Sequence, residues 1–110
     1  MEKISLEEYG NAVKSCLNVA QQPTGGGSIV AQVLLSAYDG ELYQLDVAGL
    51  CNLDRSIYES AITVIRGRYD TCREPHEMIA GGDAVFCNLC REWSGLKLAA
   101  RAKKQAKRQW

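Results

Sequence analysis

The sequence has no long apolar run and no recognisable leader. Its densest apolar stretch, residues 29–35, is short and contains Gln32, so a transmembrane helix is excluded. The first residues are acidic and polar and do not resemble a secretion signal. An odd number of cysteines, five, without an export signal indicates a reducing compartment. We therefore expect a cytoplasmic protein with free thiols, without a disulfide framework and without membrane association.

Acidic residues are absent after Glu92. All 13 acidic residues lie at or before that position with seven basic residues, so residues 1–92 carry a net charge of −6. Six basic residues follow and bring the total to zero. They are Lys97, Arg101, Lys103, Lys104, Lys107 and Arg108. A basic tail on an acidic body is typical of binding to nucleic acid or to an acidic protein surface.

The apolar residues recur at helical spacing along most of the chain. Potential capping residues, Ser5, Ser28, Asp54 and Asp83, each precede such a stripe, and Ser5 with Glu8 forms a capping-box pattern. These signals predict helices over about 6–21, 29–39, 55–69 and 84–94, with a loop at 24–27. The helix at 55–69 is apolar over a wide arc, which predicts a central helix packed on two sides.

The tail is rich in alanine, lysine, arginine and glutamine, which favours a fifth helix from about residue 96. The predicted fold is therefore an all-α single domain, a bundle of four to five helices. We expect the helical domain to occupy residues 1–94 and a basic, projecting helix to occupy residues 95–110. Trp110 at the end is expected to fray or to dock on a partner.

One set of side chains has the composition of a zinc site: Cys72, His76, Cys87 and Cys90. Two close pairs of thiolate and imidazole ligands are the usual way to hold tetrahedral zinc. The competing interpretation places both later cysteines inside an amphipathic helix, where Cys90 acts as a small hydrophobe. Cys72 and His76 could alternatively form a nucleophile and base, because a histidine-dependent enzyme would have to use this single histidine.

No catalytic set is complete in the sequence. No orienting acid or oxyanion loop accompanies the cysteine and histidine. The glycines at 25–27 precede a helix, but they lack the Gly-Lys-Ser/Thr ending of a phosphate loop. We therefore predict a protein that is not an enzyme and that needs no cofactor.

Two segments resemble a family of small uncharacterised proteins carried on bacterial mobile elements, including plasmids, integrative elements and phages. They are residues 44–54 with Thr63-Val64-Ile65-Arg66, and residues 86–93, Phe-Cys-Asn-Leu-Cys-Arg-Glu-Trp. The resemblance covers about residues 28–93 and involves mostly capping and core positions. It implies a genomic setting and assigns no functional residues.

These observations predict a non-enzymatic interaction protein of a phage or mobile element. Its expected partner is a protein complex of the bacterial host or of the element, bound through the acidic and aromatic surfaces of the protein. Inhibition of a defence complex, as by anti-CRISPR proteins, fits the size and setting. The alternatives are a nucleic-acid-binding accessory protein and a small zinc module. A homodimer is a further expectation, with the basic tail packed on the acidic body of a second copy.

Overall fold

The computed structural model describes residues 2–108, with side chains up to residue 103, and shows an all-α protein. Five α-helices follow one another: α1 (Leu6–Ala20), α2 (Gly25–Tyr38), α3 (Arg55–Thr71), α4 (Gly82–Glu92) and α5 (Leu98–Arg108). Three 3-10 helices, Val47–Asn52, Pro75–Met78 and Ser94–Leu96, lie in the connections. The described part of the chain contains no strand. The predicted fold class is confirmed.

Helix α1 begins as its sequence predicts. The Ser5 side chain accepts the Glu8 backbone N–H at 3.1 Å, and the Glu8 carboxylate accepts the Ser5 N–H at 3.2 Å. Both donors would otherwise lack partners at a helix start. The apolar face of α1 then packs on α2 and α3, and Tyr9, Val13 and Cys16 are fully buried.

Helix α2 starts four residues earlier than predicted. The predicted cap at Ser28 is wrong, because Thr24 occupies the N-cap position and its hydroxyl accepts the Gly27 N–H at 2.9 Å. The predicted glycine loop is thus the first turn of the helix. Gly27 is buried against the Gln22 carbonyl, where a Cβ would overlap. Glycine is therefore retained for close backbone approach, despite its low helix propensity.

Helix α2, rather than α3, is the central element. Six consecutive residues of α2, 30–35, are buried, so the helix is covered on all sides. The one polar residue among them, Gln32, accepts the Asp46 N–H at 2.9 Å and holds the following connection in place. Helix α3 has only Ala61, Val64 and Gly67 buried. The predicted helix at 55–69 is thus present and packs on both α1 and α2, but it is less buried than α2.

The other two predicted caps do not form. Asp54 occupies the N-cap position of α3, but its side chain makes no capping hydrogen bond. Asp83 lies inside the first turn of α4, because the helix starts after Gly81. The φ of Gly81 is +65°, in the left-handed region that favours glycine, and this conformation sets the start of α4.

The chain reaches α5 through the last 3-10 helix. Leu96 packs against the core, and the Trp93 indole N–H donates to the Ala20 carbonyl at 2.7 Å. The Leu98 N–H donates to the Leu42 carbonyl at 2.9 Å. Beyond this bond, α5 packs mainly on the 3-10 helix that precedes it. None of the side chains described in α5, residues 98–103, belongs to the buried core.

Candidate interaction surfaces

The four residues with zinc-ligand spacing do not form a metal site. Cys72 is exposed at the end of α3, Cys87 is exposed on α4, and Cys90 is half-buried against the core. Within residues 2–108 no three His, Cys, Asp or Glu side chains are placed so that they could hold a metal ion. The zinc-site interpretation of these residues is therefore not supported, and all five cysteines are free thiols.

His76 is held by contacts other than Cys72. Its Nε2 lies 3.4 Å from the Asp83 carboxylate, and the edge of the ring meets Tyr38 at a centroid distance of 5.1 Å. The Cys72 thiol donates to the Tyr69 carbonyl at 3.6 Å. None of these contacts joins the cysteine to the histidine, so the structure does not assemble the nucleophile and base considered from the sequence.

Cys90 belongs to a buried aromatic environment. Burial raises the pKa of the Tyr43 hydroxyl, and the adjacent Cys90 thiol raises it further. The pKa of Tyr38 is also raised, by burial first and then by Cys87 and Cys90. These surroundings disfavour charged groups, and they agree with the interpretation of Cys90 as a small hydrophobe on the inner face of α4.

The basic tail lies on α5 and on the residue before it. Lys97 and Lys103 are exposed, and Arg101 is half-exposed. Lys104, Lys107 and Arg108 follow on the same helix, but their side chains lie outside the described residues, as does the whole of Trp110. The described cations therefore face solvent at least in part, and any partner that binds them meets a helix with little apolar area.

A second surface lies on α3 and was not predicted. Tyr69 has 84% of its surface exposed and Ile65 has 39%. The sequence placed both residues in a packed stripe, and that prediction is wrong for them. The signal that could have found them is the surplus of apolar residues on α3, because one neighbouring face cannot cover so wide an arc.

These two side chains line a shallow groove between α3 and the N-terminal residues. Two adjoining hollows of about 650 and 350 Å³ share Lys3, Ile65, Tyr69 and Asp70 in their walls. Arg68 lines the larger hollow, and Arg66 lines the smaller one. We call this surface the α3 groove, defined by Glu2, Lys3, Ile65, Arg66, Arg68, Tyr69 and Asp70.

Hydrogen bonds fix the walls of the α3 groove. The Asp70 carboxylate accepts the Ile4 backbone N–H at 2.8 Å, and Arg66 donates to the Glu2 carbonyl at 2.6 Å. Arg68 donates through Nε to the Ala37 carbonyl at 3.1 Å, which ties α3 to α2. The N-terminal residues are thus held along α3 before any ligand arrives.

The segment that carried part of the resemblance forms another apolar cleft. Its volume is about 510 Å³, and its walls include Val47, Leu50, Leu53 and Tyr58 with Arg55 at the start of α3. Gly49 lies directly beneath Ile29, so this segment is packed tightly on α2. The matched residues therefore serve the attachment of the connection to the core.

Comparison with known proteins gives a family and no activity. Neither the curated proteins nor the solved structures include a match to this chain. No helix among the described residues is long and apolar enough to cross a membrane. The family model described as a family of unknown function (DUF7673) matches residues 10–94, which contain α1 to α4 and end before α5. The chain belongs to this family of unknown function.

Proposed function

We propose that this protein is a non-enzymatic interaction protein that binds an acidic partner protein through its basic C-terminal helix. The observation that carries the proposal is the difference in burial between helices α1 to α4 and helix α5. Helices α1 to α4 supply most of the buried residues, whereas the described side chains of α5 supply none. A segment with six basic residues and no acid, in which the side chains described at residues 97–103 are exposed or half-exposed, suits an anionic surface.

The setting we propose is a phage or other mobile element, and the partner is a protein complex of the bacterial host or of the element. The resemblance described above supports this setting. Inhibition of a defence complex, in the manner of anti-CRISPR proteins, agrees with the small size and with a chain that offers no evident catalytic set. The family assignment itself carries no activity.

A nucleic-acid-binding accessory protein is the second candidate, and the same six cations favour it. Each phosphate neutralised by a lysine or arginine releases counterions, so a basic helix gains affinity for nucleic acid. No aromatic residue interleaves the six basic positions of residues 97–108, so the tail offers no side chain on which bases could stack. We therefore rank an acidic protein surface first.

The experiment compares three forms of the full chain as affinity baits in host cells. They are the native sequence, a tail variant with Lys97, Arg101 and Lys103 changed to Glu, and a matched variant with Lys14, Arg55 and Arg91 changed to Glu. Both variants reverse three charges, but the matched variant leaves α5 intact.

A protein that the native and matched baits retain after nuclease treatment, and that the tail variant loses, supports the proposal. Material that nuclease removes supports the nucleic-acid candidate. For that candidate, the logarithm of the affinity for a short DNA duplex falls linearly with the logarithm of salt concentration, with a slope of about −0.9 per phosphate contacted. Identical material on all three baits contradicts a role for the tail.

A further inference from the structure

We propose that the α3 groove is a docking site for an acidic protein segment that presents an apolar side chain. The inference rests on the proposed function only in taking a protein as the partner. The groove lies on α3 and the N-terminal residues, which are remote in sequence from the basic tail. It therefore assigns a second binding surface to the molecule.

The first argument is the exposure of Ile65 and Tyr69. They lie four residues apart on α3 and hence on one face of the helix. A single exposed apolar residue is ordinary on a protein surface. Here an exposed isoleucine and a tyrosine that is 84% exposed share the wall of one hollow. Tyrosine and arginine are the residues that most often dominate binding energy in protein interfaces.

The α3 groove and the rest of the body differ in the sign of their net charge. The groove combines Lys3, Arg66 and Arg68 with two carboxylates, Glu2 and Asp70, so its net charge is positive. The body as a whole carries −6. A positive groove on an acidic body selects acidic segments and orients them.

The walls of the groove are ordered before a ligand binds. Residues 2–4 are tied to α3 by the Ile4 and Arg66 hydrogen bonds, and Ile4 itself is buried in the core. A site that is already ordered loses less conformational entropy when it binds. The groove is therefore suited to a short extended peptide segment, which becomes ordered when it binds to these fixed walls.

A protein segment fits these features better than nucleic acid. Tyr69 could stack on a base, and the cations could contact phosphates. Ile65, however, offers only an apolar surface, which an apolar side chain of a peptide covers and a phosphate backbone does not. Nucleic acid is therefore treated as a competing outcome.

The test is an NMR titration of the full isotope-labelled chain with a capped synthetic peptide, Asp-Glu-Asp-Leu-Phe-Asp-Glu-Asp. Two control peptides replace Leu-Phe by Ala-Ala or replace the acids by lysine. Because an acidic peptide also attracts the basic tail, the titration is repeated in the tail variant with Lys97, Arg101 and Lys103 changed to Glu.

We expect chemical-shift changes at residues 2–4 and 65–72 in both backgrounds, and at least tenfold weaker binding of both control peptides. Tyr69→Ala and Lys3→Glu should each weaken the acidic peptide at least tenfold. The matched controls are Val47→Ala, which shortens another exposed apolar side chain, and Lys14→Glu, which reverses a cation on α1. Both should bind as the native chain does.

Several results would overturn the docking site. Shifts confined to residues 97–103 and lost in the tail variant would place the binding on α5, which agrees with the proposed function and removes the groove. Tighter binding of an eight-nucleotide thymidine strand at residues 65–72 would make the groove a nucleic-acid site. Self-association of the free chain that Tyr69→Ala abolishes would assign the groove to a second copy.

Discussion

Helices α1 and α5 are both amphipathic, yet α1 packs in the core and the described side chains of α5 do not. Six residues of α1 are buried, among them Tyr9 and Leu17, and a capping box fixes its first turn. The described apolar positions of α5 are mostly alanines, and Leu98 and Ala100 are only half-buried. The comparison teaches that helical periodicity alone does not place a helix in the core, because the apolar face must also have enough area to stabilise its packing.

The largest expected effect separates a core leucine from a tail leucine. Leu34 is fully buried in α2, so Leu34→Ala should lower the free energy of unfolding by about 2–5 kcal/mol. Leu98→Ala, the matched change in α5, should cost less than about 1 kcal/mol because the side chain is half-exposed and lies outside the core cluster. Urea denaturation of both variants measures the two values. Equal losses of unfolding free energy would show that Leu98 in α5 is packed as firmly as Leu34 in α2.

A second comparison lies inside the body, at the contact between α1 and α3. A Cβ at Gly67 would lie 2.5 Å from two atoms of the Tyr9 ring, and that ring is fixed because its hydroxyl donates to the Arg73 carbonyl at 2.8 Å. Gly67→Ala should therefore destabilise the protein by about 1–3 kcal/mol. At Gly10 the nearest atom is at 3.5 Å, so Gly10→Ala should stabilise by up to about 1 kcal/mol. Thermal unfolding of the two variants shows whether each substitution raises or lowers stability. A Gly67→Ala variant as stable as the native chain would show that α1 and α3 are not in close contact.

Alkaline pH should lower the free energy of unfolding of the helical body. Burial raises the pKa of the Cys16 thiol from its ordinary value of 9.0 to about 12. Between these values the unfolded chain has lost a proton that the folded chain retains, so stability is full below pH 9 and falls as pH rises. The loss is about 1.4 kcal/mol per pH unit for one fully shifted group. Burial also raises the pKa of Tyr9 to about 12, and this adds to the fall above pH 10.

The measurement is urea denaturation from pH 8 to pH 11. Cys16→Ala should flatten the decline between pH 9 and pH 11, whatever its effect on stability at pH 8. Cys51→Ala removes an exposed thiol and should leave the slope as it is. Equal slopes in the two variants would show that the Cys16 thiol ionises as freely in the folded chain as in the unfolded one.

Sequence reasoning predicted the fold class and failed mostly where tertiary contacts decide. Ser5 and Glu8 were recognised because the cap, its partner and the apolar stripe are adjacent in sequence. The start of α2 was missed because three glycines have low helix propensity. Their position becomes intelligible only through the tight contact of Gly27 with the Gln22 carbonyl.

The two candidate interaction surfaces also differ in how far the sequence predicts them. The basic tail is visible in the sequence because its charges are consecutive and unopposed. The α3 groove is not, because its walls come from residues more than 60 positions apart, as in the hydrogen bond between Ile4 and Asp70. The four zinc-like residues show that ligand spacing in a sequence does not by itself bring side chains together in space.

Removal of α5 tests the separation of body and tail most directly. A stop after Lys97 keeps Leu96, which packs against the core, and removes α5 together with the hydrogen bond from Leu98 to Leu42. The account predicts that the melting temperature of this chain falls by less than about 4 °C, equivalent to under about 1 kcal/mol. A larger fall would show that α5 belongs to the core and would contradict the assignment of the basic helix to partner binding.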